Sequence, residues 1–165
     1  MAFKYKNELF KTVIFVALYV LLGNARSVQE NPVVPGAVIA VNMVVPVLAG
    51  ILYGRGQGLL VGFFGTLLAA FSPIGSAFEI AAIIPHSIMG FLAGYFKDKA
   101  PTPIVACTLF IGHLLNIIMF VLFSLLPISL VADGQFWMGL LYETFIGIVT
   151  IMILKGIITL GRVKS

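Results

Sequence analysis

Threaded through a bilayer as six apolar spans, this chain leaves nine of its ten lysines and arginines on one side. They are Lys4, Lys6, Lys11, Arg55, Lys97, Lys99, Lys155, Arg162 and Lys164, and only Arg26 falls in a segment that must lie opposite. Basic residues next to spans are retained on the cytoplasmic side, so this asymmetry predicts class, topology and orientation together, with both termini cytoplasmic. The expected spans are about 6–23, 36–53, 58–72, 77–96, 104–126 and 134–154.

Each span needs about 20 residues, so 165 residues hold six helices and little else. The fold class read from this is all-α: an integral membrane protein forming one compact six-helix domain, with no room for a soluble catalytic or nucleotide-binding domain. A mean hydropathy of +1.13 argues against a water-soluble core. The net charge of +4 sits in cytoplasmic turns and tails, where it sets topology and meets anionic lipid rather than nucleic acid. Cys107 is the single cysteine, so no internal disulfide forms, and inside a span it reads as a small buried hydrophobe.

The first span is short between Lys11 and Arg26, which predicts an earlier helix start with Lys6 and Lys11 snorkelling toward the headgroups. A cleaved signal peptide is the rival reading, against which stand Glu8 in the basic region and Tyr19 in the apolar one. Residues 24–35 are polar and end in prolines, as an external loop does. Gly54 to Gly58 is a tight cytoplasmic turn, so spans two and three form a hairpin. Ser72 to Ser76 breaks the chain outside, Pro85 is expected to kink span four, and span five is expected to stop at Pro127. The pairs Gly50/Gly54, Gly58/Gly62 and Gly90/Gly94 each put two small residues on one helix face, the pattern of closely packed backbones.

Polar groups at membrane depth carry a free-energy cost, about 2.5 to 3.5 kcal/mol for a central carboxylate, and so call for a reason. Glu143 stands near the middle of span six between Gly139 and Gly147. His113 is near the middle of span five, with Asn116 one turn outward on the same face. His86 follows Pro85 in span four, and Glu79 lies about two turns outward on a similar face. These residues are expected to line one cavity in the outer half of the bundle. Each has a plainer alternative: a buried histidine bonded to a carbonyl, a protonated carboxyl bonded to a neighbouring helix, or, for Glu79, interfacial water. Trp137 and Tyr142 can stack on a ligand ring, although an aromatic belt accounts equally for Trp137. Arg26 can anchor a carboxylate or simply be solvated.

Other chemistries find weaker support. There is no HExxH, no histidine pair four apart and no CxxC, so no metal is assigned. Ser72, Ser76 and Ser87 lie in no GxSxG elbow, and the turn at Gly54 to Gly58 lacks a phosphate-loop ending.

The stretches Val47-Leu48-Ala49-Gly50-Ile51-Leu52-Tyr53-Gly54 and Gly58-Leu59-Leu60-Val61-Gly62, and later Gly90-Phe91-Leu92-Ala93-Gly94-Tyr95-Phe96 before Lys97, resemble the glycine-rich helices of a known family. It is that of the S-components, the substrate-binding membrane subunits of energy-coupling factor (ECF) vitamin transporters. The likeness extends over nearly the whole chain. It implies a multi-pass protein of the bacterial cell membrane that hydrolyses nothing and captures a vitamin-like nutrient from outside, using the first external loop and helices four to six. It also implies docking on a transmembrane coupling subunit driven by two cytoplasmic ATPases, with no cofactor of its own. Family members often carry two alanines four apart on the first helix for that docking. Here Val13 and Ala17 stand in those places, a departure that leaves open a looser small-residue face, another partner or solitary function. The alternatives are an autonomous proton-coupled carrier with Glu143 as the titrating group, an intramembrane metal-dependent hydrolase built on Glu79, His86, His113 and Glu143, and a structural or assembly subunit.

Overall fold

The computed structural model describes residues 2–25, 30–34, 37, 39–73 and 75–163, and its elements are all helices. They are α1 (Ala2–Asn24), α2 (Val44–Tyr53, entered through a 3-10 turn at Val41–Met43), α3 (Arg55–Ala70) and α4 (Ala77–Phe96), then α5 (Thr102–Ala106), α6 (Thr108–Leu122), α7 (Ile128–Val131) and α8 (Gly134–Val163). Among the described residues, four stretches are long and apolar enough to cross a membrane: Asn7–Asn24, Ala77–Phe96, Thr102–Leu122 and Gly134–Gly161. Large apolar side chains such as Phe63, Phe71, Ile84, Ile104, Leu122 and Phe145 stand exposed on the outer faces. Such a surface suits lipid and would be costly in water. The chain is a membrane protein.

The centre is α2. Every residue from Val44 to Ile51 is buried, so this helix is apolar all round, as a helix enclosed by its neighbours must be. Pro46 falls in its first turn, where the missing N–H has no intrahelical acceptor to lose. Gly54 alone joins α2 to α3, with φ of 101°, a conformation that a side chain would strain. The glycine pairs anticipated from their spacing meet on one seam. A Cβ on Gly58 or Gly50 would strike the Gly90 carbonyl, one on Gly62 the His86 carbonyl, and one on Gly94 the backbone of Arg55. The backbones of α2, α3 and α4 therefore touch, and dispersion between them replaces side-chain packing. Not every glycine serves this purpose: Gly156, in α8, has open space where a Cβ would go. Gly156→Ala is expected to raise stability by about 0.5–1 kcal/mol through backbone entropy, measurable as a higher melting temperature in detergent.

Several boundaries differ from expectation. Span five was placed at 104–126, but α6 ends at Leu122. Ser124 adopts φ 57°, its N–H bonds the Val121 carbonyl at 3.0 Å, and the Leu125 N–H bonds that of Phe120 at 2.8 Å. This is a Schellman stop made without glycine. Pro127 instead precedes the short helix α7. The sixth helix runs to Val163 rather than 154, because nothing beyond Leu154 breaks a helix; Lys155 stays in register and bonds Thr102 Oγ1. Its 30 residues span about 45 Å. α4 continues as one element through Pro85. Cys107, expected to be buried, is exposed, because the α5–α6 junction turns Val105, Ala106, Thr108 and Leu109 inward and leaves its thiol outside.

Candidate functional site

At the end of the bundle where α1 and α6 finish and α4 and α8 begin, the helices enclose a cavity of about 510 Å³. Its walls come from α1, the segment leading into α2, α4, α6 and α8. Glu79, His86, His113, Asn116 and Glu143 all line it. The helical period brings them together: on α8, Phe136, Leu140 and Glu143 share a face at i, i+4 and i+7, and all three reach the cavity.

The inner wall is a hydrogen-bonded network across four helices. His86 Nδ1 lies 2.6 Å from Tyr19 Oη and 3.0 Å from Thr66 Oγ1, Thr66 Oγ1 lies 3.0 Å from Tyr19 Oη, and His86 Nε2 lies 3.1 Å from Asn116 Nδ2. One end of the network is fixed. Thr66 has a single proton, and the Gly62 carbonyl 2.7 Å away can only accept it. The remaining donor and acceptor roles turn on the His86 tautomer. All four side chains are buried. One atom is left over: Asn116 Oδ1 is buried without a hydrogen-bond partner.

Glu79 sits in the first turn of α4, buried, and its carboxylate accepts the Ser76 backbone N–H at 3.0 Å and the Ser76 hydroxyl. It thus bonds its own helix terminus, as in a capping box. Glu143 Oε1 accepts the Ala40 N–H at 2.5 Å. Nearby, the Asn31 amide donates to the Gly139 carbonyl at 3.2 Å and Gln135 Nε2 to the Val33 carbonyl at 2.7 Å. The described part of the first connection is therefore tied to the N-terminal end of α8. His113 is buried and makes no hydrogen bond among the described residues.

Trp137 and Tyr142 do not line the cavity. Trp137 Nε1 donates to the Val131 carbonyl at 2.8 Å, closing α7 onto α8, and Tyr142 is half-buried elsewhere on the helix. Both lie off the Phe136–Leu140–Glu143 face, and Phe136 supplies the aromatic wall with Phe78 and Phe120. Arg26 lies outside the described residues. Val13 and Ala17 are exposed on one face of α1. Tyr19, Asn42, Thr66 and the three phenylalanines were missed in the sequence; a tyrosine interrupting the apolar run of span one was the available signal for the first. Among the described residues, no three His, Cys, Asp or Glu side chains are grouped to hold a metal ion. The described lining contains two carboxylates and no lysine or arginine.

The chain is thus a membrane-embedded helical bundle with a cavity at one end, bordered in part by a connection tied to α8. The chain belongs to the family of the ECF-type riboflavin transporter S component, whose profile it matches over residues 6–161. Members of that family are substrate-binding membrane subunits of ECF transporters. No curated protein and no solved structure was found to match the chain.

Proposed function

We propose that this protein is the riboflavin-binding S-component of an ECF-type importer in a bacterial cell membrane. The observation that carries the reading is the single cavity in which five membrane-depth polar residues, Glu79, His86, His113, Asn116 and Glu143, converge with Phe78, Phe120 and Phe136. Its volume of about 510 Å³ lies within the roughly 300–1,000 Å³ usual for small-molecule sites. Riboflavin is neutral, flat at one end and hydroxylated at the other, which suits aromatic walls beside hydrogen-bonding groups. In this reading the chain crosses the membrane six times with both ends cytoplasmic, α2 completing the bundle within the protein and α3 meeting lipid through Phe63, Phe64 and Leu68. The cavity faces outward, and the protein passes its load to a transmembrane coupling subunit driven by two cytoplasmic ATPases. The exposed face of α1 around Val13 and Ala17, beside a groove lined by Leu9, Val16, Leu60 and Phe64, is the proposed docking surface.

The test is titration of the purified protein with riboflavin, followed by quenching of flavin fluorescence. Saturable binding at nanomolar to micromolar concentrations is expected without any ATPase partner. Riboflavin 5′-phosphate should bind more weakly, since its dianion would meet two carboxylates and no described cation in the lining. Folded protein that leaves flavin fluorescence unchanged would remove riboflavin as the ligand.

A further inference from the structure

We infer that a slot between α8 and the α5–α6 junction, on the lipid-facing side of the bundle, holds one acyl chain of an anionic glycerophospholipid whose head group meets Lys155. The slot has a volume of about 520 Å³, and Phe96, Ala100, Ile104, Cys107, Ile111 and Leu141 form most of its wall. Two hydroxyls also border it, but Thr108 Oγ1 donates to the Val105 carbonyl and Thr144 Oγ1 to the Leu140 carbonyl, each at 2.8 Å, so neither asks for a ligand. An occupant meets hydrocarbon on every side, and a polar molecule would give up its hydration there without finding a partner. The slot opens outward, where Ile104, Ile111 and Leu141 are exposed. It shares no residue with the cavity described above.

Shape selects among apolar occupants. From Ile104 to Ile111 the wall rises about 10 Å, and Phe96 and Ala100 carry it on toward the end of the bundle opposite the cavity. Spread over that length, a volume of about 520 Å³ has roughly half the cross-section of a helix 10–12 Å wide. A single hydrocarbon chain fits such a slot, and a partner helix does not. Charge then selects the head group. Lys155 stands three turns beyond Thr144 on the same face of α8, half-buried, and its ammonium bonds the Thr102 hydroxyl at the start of α5. Among the described residues it pairs with no carboxylate. The neighbouring cations turn elsewhere: Lys99 Nζ sits 3.4 Å from the centre of the Tyr95 ring, and Lys97 Nζ lies 3.8 Å from where a Cβ on Gly54 would stand. An apolar slot that ends at an uncompensated ammonium matches an acyl chain that ends at a phosphate. In the six-span reading this end faces the cytoplasm, the side on which anionic lipids gather.

The experiment is native mass spectrometry of the purified protein, stripped of lipid and titrated with phosphatidylglycerol or with phosphatidylcholine carrying the same acyl chains. The first phosphatidylglycerol should bind about fivefold more tightly than phosphatidylcholine, the factor expected of one lysine at a membrane surface. Lys155→Gln should bring the two lipids to within about twofold of each other, and Lys155→Arg should restore the preference. Cys107→Trp fills the slot, and the folded variant should lose the first bound lipid of either kind. The Lys155 variants change no side chain of the slot wall, so they decide the question even if the tryptophan variant fails to fold. Equal binding of the two lipids by wild-type protein, a preference that survives Lys155→Gln, or a first lipid retained by folded Cys107→Trp would each overturn the inference. Efficient Cys107-to-Cys107 cross-linking between chains in vesicles would also overturn it, by placing a second copy against the slot.

Discussion

Gly90→Val is expected to leave almost no folded protein after extraction in detergent. A Cβ at this position would run into the Gly58 carbonyl, and a Cβ on Gly58 would run into that of Gly90. The two backbones are in reciprocal contact, with no flexible side chain between them to yield. Helices α3 and α4 would have to separate, and α4 would pull away from Gly50 on α2 as well. Overpacking a well-packed interior costs about 1–3 kcal/mol where side chains can adjust. With only backbone to displace, the cost should be about 3 kcal/mol or more, a large share of a typical folding free energy. The comparison variant is Gly156→Ala on α8, where nothing stands in the way. Yield, monodispersity and melting temperature measured side by side should separate the two; a Gly90→Val protein that melts with the wild type would refute the close seam.

The second large effect concerns Glu143, and two substitutions divide its roles. Glu143→Leu removes the acceptor of the Ala40 N–H and leaves that donor in an apolar site, at about 1–3 kcal/mol. The segment entering α2 should then release its hold on α8. Riboflavin affinity is expected to fall about ten- to a hundredfold, chiefly through faster dissociation, as stopped-flow fluorescence would record. Glu143→Gln retains an acceptor of nearly the same shape and should cost only about fivefold, the difference between charged and neutral hydrogen bonds. The pair also separates binding from proton-coupled transport, because a carrier that moved protons on this carboxyl would stop altogether in Glu143→Gln. Wild-type kinetics in Glu143→Leu would show that the Ala40 contact does not retain the ligand.

Much of the helical plan was legible because punctuation and hydropathy agreed. The fourth helix was read as 77–96 and forms at Ala77–Phe96, since Pro73, Gly75 and Ser76 precede it and Lys97 follows. Elsewhere the punctuation misled. Ser124 stops α6 in a left-handed conformation that usually belongs to glycine, so Pro127 looked like the stop. The sixth span was bounded at Leu154, whereas the apolar stretch runs to Gly161 and the helix to Val163.

Convergence of Glu79, His86, His113, Asn116 and Glu143 was readable because each is polar where polarity is costly. Tyr19 and Thr66 were not, because a lone hydroxyl in an apolar helix can bond its own backbone or look inward with equal ease. Asn42 escaped notice because it was assigned to the interior of a helix that does not begin until Val44. Trp137 and Tyr142 were chosen for ring chemistry alone; the facing of α8, set by its packing, selects Phe136 instead.

The brevity of α2 has a consequence of its own. Ten residues rise about 15 Å, half the depth of a bilayer's hydrocarbon layer. A lipid-facing helix so short would leave its column unfinished, but this one is walled in on every side and owes nothing to membrane thickness. Ala37, Ala40, Asn42 and Met43, just ahead of it, border the cavity, where irregular chain is tolerated because it edges a hollow rather than lipid.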